Sequence, residues 1–99
     1  MKRDKADREF SRSIRERDGY TCQRCFTTYI EGHRGLHCAH MFSRGKKATR
    51  WDEENACALC YGCHRWLDGH PDLKREFFRQ RLGEDAFAEL ELRSNRSVR

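Results

Sequence analysis

A small α+β domain cross-linked through its cysteines is the fold this sequence predicts, and three observations predict it. Two Cys-x-x-Cys pairs, Cys22/Cys25 and Cys60/Cys63, bracket the middle of a 99-residue chain. β-prone residues and turn residues follow the first pair, whereas both ends of the chain carry helical periodicity. The apolar share is 36% and the mean hydropathy −1.07, too little for a chain this short to hold itself together by its core alone.

The elements run in order. Residues 1–19 place Ala6, Phe10 and Ile14 at i, i+4 and i+8, an amphipathic helix whose narrow apolar stripe docks on the central unit. It stops at Asp18-Gly19. Residues 20–70 form that central unit. Within it, 20–26 make the first knuckle, and 27–42 read as a β-hairpin with strands at 27–30 and 36–42 around a Gly32-His33-Arg34-Gly35 turn. A basic loop at 43–52 comes next, with Asp52 as a cap, and 55–60 lead into the second knuckle. A short helix then starts near Tyr61, carries His64, Trp66 and Leu67, and is closed by Gly69. Residues 71–99 hold two more helices and a loose basic tail. Pro71 opens the first, with Leu73, Phe77, Phe78 and Leu82 as its buried face and Gly83 at its end. Ala86, Phe87 and Leu90 mark the second.

The paired Cys-x-x-Cys units, with 34 residues between Cys25 and Cys60, are a strong pattern for a structural zinc ion closed by four thiolates. Such binding contributes about 10–16 kcal/mol directly to folding. Cys57 could pair with Cys60 instead, but Cys60 and Cys63 put His64 immediately after the knuckle and are preferred. Cys38 and Cys57 then read as small buried hydrophobes. A disulfide framework is disfavoured, because the amino terminus is dense in charge and shows no apolar leader. No apolar run reaches the length of a membrane span, so a soluble protein of a reducing cytoplasm is expected.

The net charge is +5, and its distribution says more than its size. From Gly32 to Trp51 there is no acidic residue, while Arg34, Arg44, Lys46, Lys47, Arg50 and three histidines crowd the same window. That favours a polyanionic partner. Arg44 and Arg50 are the expected phosphate grips, with Lys46 and Lys47 as weaker steering charges. Trp51 and Trp66 are expected in the core, and His33 and His70 at the surface.

His40, Asn55 and His64, set among the four cysteines, give the chain its resemblance to a known family. The segments His37-Cys-Ala-His-Met-Phe-Ser-Arg-Gly, Ala48-Thr-Arg-Trp-Asp-Glu-Glu-Asn and Cys60-Tyr-Gly-Cys-His, in that order, resemble the HNH endonucleases. The likeness is to the short zinc-ribbon members of phages and prophages and covers roughly residues 20–70. It implies a ββα-metal core and a hydrolase that cuts double-stranded DNA, nicking one strand per active site. Cutting both strands implies a homodimer or two visits. It implies His40 as general base, Asn55 as orienter of the hairpin or metal contact, and His64 as ligand of a catalytic Mn²⁺ or Mg²⁺. Many HNH proteins carry a metal ligand just before the base, where this chain has Ala39. His37 and Asp68 are both candidates to replace it. Two alternatives stay open: a non-catalytic zinc-ribbon DNA-binding module, and a nuclease specific for branched recombination intermediates.

Overall fold

Asp4 starts the first helix, α1 (Lys5–Arg17). Its side chain accepts from Asp7 N, and the Asp7 side chain accepts from Asp4 N, a reciprocal cap that satisfies two of the helix's orphan donors. The computed structural model describes residues 4–97, so the first three residues of the expected helix and the last two of the expected tail lie outside the described residues. The helix stops at the expected place, with Gly19 at φ +65° directly after the Asp18 cap. The buried stripe is different. Ala6 is exposed, and α1 buries Asp7, Ser11 and Ile14, with Phe10 half-buried beside them. The helix is rotated toward its polar side because Asp7 finds partners on the 43–52 loop.

The sheet also differs from expectation. The first strand, β1 (Leu36–His40), pairs antiparallel with β2 (Ala56–Cys60), in the register Leu36↔Cys60 to His40↔Ala56. Residues 27–30 are not its partner. Thr28 makes only an isolated bridge to Thr21, which folds the first knuckle back on itself. β1 also ends at His40 rather than at residue 42. The pairing places Leu36 against Cys60, so the sheet begins at the cysteine cluster and opens toward His40.

Four residues of β2, Ala56 to Leu59, are buried, because α1 packs against the sheet together with the helix after it. The outer edge of β2 is closed by residues 17–23 through side-chain and backbone bonds. Asp18 accepts from Ala58 N at 2.8 Å, Gln23 N donates to Ala58 O at 2.9 Å, and Arg17 donates to Ala56 O at 2.8 Å. A two-stranded sheet with an open edge would be an aggregation template, and here that edge is occupied.

Three helices complete the chain: α2 (Tyr61–Asp68), α3 (Pro71–Leu82) and α4 (Glu84–Ser94). Cys60 caps α2 with its thiol, Pro71 occupies the first turn of α3, and Gly83 at φ +90° separates α3 from α4. Of the expected α3 face only Phe78 is buried; Phe77 and Leu82 pack partly against the core, and Leu73 is exposed. Phe87 and Leu90 of α4 are buried as expected. Trp51 and Trp66, expected inside, are 49% and 40% exposed. The core is small: Leu36, Leu59, Leu67, Phe78 and Phe87 supply its bulk, and Ala and Cys fill the rest. At about 1.5–3 kcal/mol per large side chain, that burial needs a further cross-link to outweigh chain entropy. Among the described residues, no helix is long and apolar enough to cross a membrane.

Candidate functional site: a thiolate cluster beside a histidine cleft

Both knuckles converge. The Sγ atoms of Cys22, Cys25, Cys60 and Cys63 all lie within 4.8 Å of one another, the one such group of three or more potential metal ligands among the described residues. Backbone amides point at two of the sulfurs, Cys25 N at Cys22 and Cys63 N at Cys60, at 3.5 and 3.4 Å. Four thiolates bound tetrahedrally at about 2.3 Å stand about 3.8 Å apart. Cys25 and Cys60 are separated by 3.8 Å. The donor set therefore fits zinc. Burial pushes the Cys63 thiol up to about 12, against the Arg24 guanidinium that donates to its Sγ at 3.4 Å, and a coordinated zinc ion would further favour its ionised form. Cys57 stays outside the cluster, fully buried, its thiol likewise pushed up to about 12 by burial.

His40 and His64 open on one cleft of about 430 Å³, together with Cys38, Arg44, Asp68 and Lys74. β1 brings His40 there and α2 brings His64. Cys38, two residues before His40 on the same strand, is half-buried and lines this cleft rather than the core. That place was legible in strand alternation.

The His40 ring has a defined tautomer. Its Nε2 lies 2.9 Å from the carbonyl oxygen of Arg50, and a carbonyl can only accept, so Nε2 carries the proton. Nδ1 is then the basic atom of the neutral ring. Desolvation holds the ring's pKa below its ordinary value; Arg44 and Lys74 act in the same direction, against the Arg50 carbonyl and Asp7.

His64 meets His37. Their Nδ1 atoms are 3.0 Å apart, with the rings nearly perpendicular. That is the separation of an N–H···N hydrogen bond between the two rings. The other nitrogen of His64, Nε2, is 3.4 Å from Asp68, which Lys74 holds in turn at 2.8 Å. Asp68 thus orients the ring from behind, as carboxylates do for metal-bound histidines. Desolvation lowers the His64 pKa and favours the neutral ring. Tyr61 closes the far side of His37, edge to face.

Asn55 is fully buried and faces no cleft. Its Nδ2 donates to the carbonyls of Phe42 and Thr49 at 2.8 and 3.0 Å, and its Oδ1 accepts from Phe42 N at 2.8 Å. It stitches the 41–55 loop closed at the end of the sheet. Asp52 caps the turn before it, accepting from Glu54 N at 3.0 Å.

The basic loop is less open than its composition suggests. Arg50 is forked onto Asp7, and Arg44 reaches the same carboxylate at 3.3 Å while still lining the cleft. Lys46 is exposed and donates to Asn95 at 3.0 Å; Lys47 is exposed. His33 and His70 are surface groups, bonded to Gly35 N and Trp66 O. Comparison with protein-family models, with curated proteins and with solved structures returns no match for this chain.

Proposed function

We propose that the chain is a metal-dependent endonuclease that hydrolyses phosphodiester bonds of double-stranded DNA, with zinc as its structural ion. The observation that carries the reading is the shared cleft: His40, a neutral imidazole with its basic Nδ1 defined, and His64 line it together, while His37, in the adjoining groove, meets the His64 ring at a distance that also suits two adjacent ligands of a divalent cation. The sequence resemblance to HNH endonucleases supports the same assignment.

His40 Nδ1 takes a proton from a water whose oxygen attacks phosphorus; the new O–P bond forms as the bond to the leaving ribose oxygen breaks. His64 and His37 would hold Mn²⁺ or Mg²⁺, imidazole favouring the former, and the cation would neutralise charge developing on the phosphate oxygens. Asp68 keeps the His64 ring turned toward His37. Arg44, in the cleft wall, and Lys46 and Lys47, exposed on the loop, supply positive charge for neighbouring phosphates. One cleft per chain supports nicking of one strand, with both-strand cutting left to a homodimer.

The test uses supercoiled plasmid with protein stripped of exchangeable metal and resupplied with Mg²⁺ or Mn²⁺. Conversion to the relaxed circle is expected, and H40A should abolish it while leaving DNA binding intact. Absence of metal-dependent conversion overturns the reading in favour of a binding module, and equal conversion by H40A overturns it by removing His40 as the base.

A further inference from the structure

Asp7 lies on α1, outside the stapled region, yet its carboxylate gathers five donors. Oδ1 accepts from Arg50 Nε at 2.9 Å and Trp51 Nε1 at 3.0 Å. Oδ2 accepts from Asp4 N at 3.1 Å, from Arg44 Nη1 at 3.3 Å and from Arg50 Nη2. The group is 5% exposed, and a carboxylate offers about four lone-pair sites, so it is saturated. An ordinary surface ion pair has neither this burial nor this number of partners.

Arg50 and Trp51 are also the residues whose backbone faces the candidate base, since the Arg50 carbonyl accepts the His40 Nε2 proton. Backbone bonds close the turn, Asp52 N donating to Thr49 O at 3.1 Å and Arg50 N to Lys47 O at 3.4 Å. Two side-chain clamps are added to these. Asn55 grips Thr49 O from inside, one residue before, and Asp7 grips the side chains of Arg50 and Trp51 from outside. The same helix also packs Phe10 against the His40 ring, with centroids 5.7 Å apart.

We propose that Asp7 is a positioning residue for His40: it fixes the Arg50–Trp51 turn, so that the Arg50 carbonyl claims the Nε2 proton and Nδ1 is left basic. The proposal rests on the nuclease reading for its catalytic consequence. It makes the N-terminal helix part of the active site, although that helix lies outside the motif region. Loss of Asp7 lets the carbonyl drift and the imidazole proton distribute between both nitrogens. Outer groups of this kind cost about 10- to 100-fold when removed.

The test is done on the full-length, zinc-loaded chain with ¹⁵N-labelled histidine. Ring ¹⁵N shifts of His40 are expected to report the Nε2–H tautomer in the wild type and a mixture in D7N. Plasmid cleavage by D7N should fall about 10- to 100-fold at unchanged zinc content. D7E, which keeps the charge and both oxygens, should recover part of both signals. A folded D7N with wild-type tautomer and rate overturns the proposal. Should D7N fail to fold, R50K and W51F decide between the outcomes, because each weakens the clamp and leaves Asp7 in place. Unchanged His40 shifts in both overturn it equally. A tautomer change in D7N of a chain that cuts no DNA supports the coupling and sinks the nuclease reading alone.

Discussion

Cys63 and His64 are neighbours on α2, and they face opposite kinds of surroundings. Cys63 is 6% exposed and turns into a cluster of four sulfurs with no room for a further ligand. His64 is half-buried, faces an open cleft and has one imidazole partner at ligand spacing. Four soft donors close a coordination shell and make a staple. Two imidazoles leave most of a divalent cation's positions to water or phosphate, which reaction at the metal needs. On the proposed reading a single residue step along α2 separates folding from chemistry, and the two can be broken independently.

The largest effect is expected from breaking the staple. Stripping zinc with a strong chelator, or replacing Cys60 by Ser, removes binding energy of about 10–16 kcal/mol, as much as a typical domain's whole stability. Far-ultraviolet circular dichroism should lose its folded spectrum, and one zinc per chain should be found by elemental analysis of the intact protein. A chelated chain that stays folded would dissolve the contrast between the two sites.

H40A should do the reverse. The His40 side chain contributes one hydrogen bond to a loop already held by Asn55 and Asp7, so melting temperature and zinc content should stay near wild type. Cleavage should fall about 10²- to 10⁴-fold, the range for loss of a general base. H64A and H37A should act through the metal. Each is expected to raise the Mn²⁺ concentration for half-maximal cleavage by about 10-fold or more, H64A the more strongly because Asp68 holds its ring in place. Were H37A indistinguishable from wild type in a Mn²⁺ titration, the imidazole pair would be a hydrogen bond and nothing else.

The two sites also differed in how far sequence could reveal them. The thiolate cluster was legible, because Cys-x-x-Cys spacing carries its geometry locally. So was α2, bounded by Cys60 and Gly69. The sheet was misread for a physical reason. Residues 27–30 are Thr, Thr, Tyr and Ile, stronger strand formers than the Ala-Cys-Ala-Leu-Cys of β2. Small residues won because β2 is covered on its faces and must begin where the cysteine cluster holds Cys60. Asp7 was invisible for another reason: an acid in a charged helix reads as solvated. Its side-chain partners lie 37 to 44 positions away, beyond any local pattern.

Asn55 tests the seam between staple and cleft. N55A leaves the part-buried Phe42 amide and carbonyl without their partner, while Thr49 O keeps its bond from Asp52 N. At roughly 1–3 kcal/mol for an orphaned group, a loss of about 3 kcal/mol is expected in denaturant unfolding, with zinc still bound. Cleavage should fall too, through displacement of the loop carrying the Arg50 carbonyl. Full stability in N55A would mean that the loop closes without it.

The smallest effect expected is in pH dependence, and its sign is fixed. Desolvation depresses the His40 pKa in the folded chain, below about 6.5 for a free imidazole. The neutral base therefore persists to lower pH than an exposed histidine would allow. The acid limb of a cleavage profile under kcat/KM conditions should have its midpoint below about pH 6.5, with more than half the plateau rate at that pH. Stability has the same sign: the contribution of neutral His40 is complete above the unfolded value and is lost as pH falls through the depressed one. H40A should flatten that part of the stability curve, while C38A, altering the same cleft face without a titrating imidazole, should keep it. An acid limb centred above about pH 6.5 would mean that a carboxylate, and not burial, governs the ring, and Asp7 with Asp68 would then be the groups to neutralise in turn.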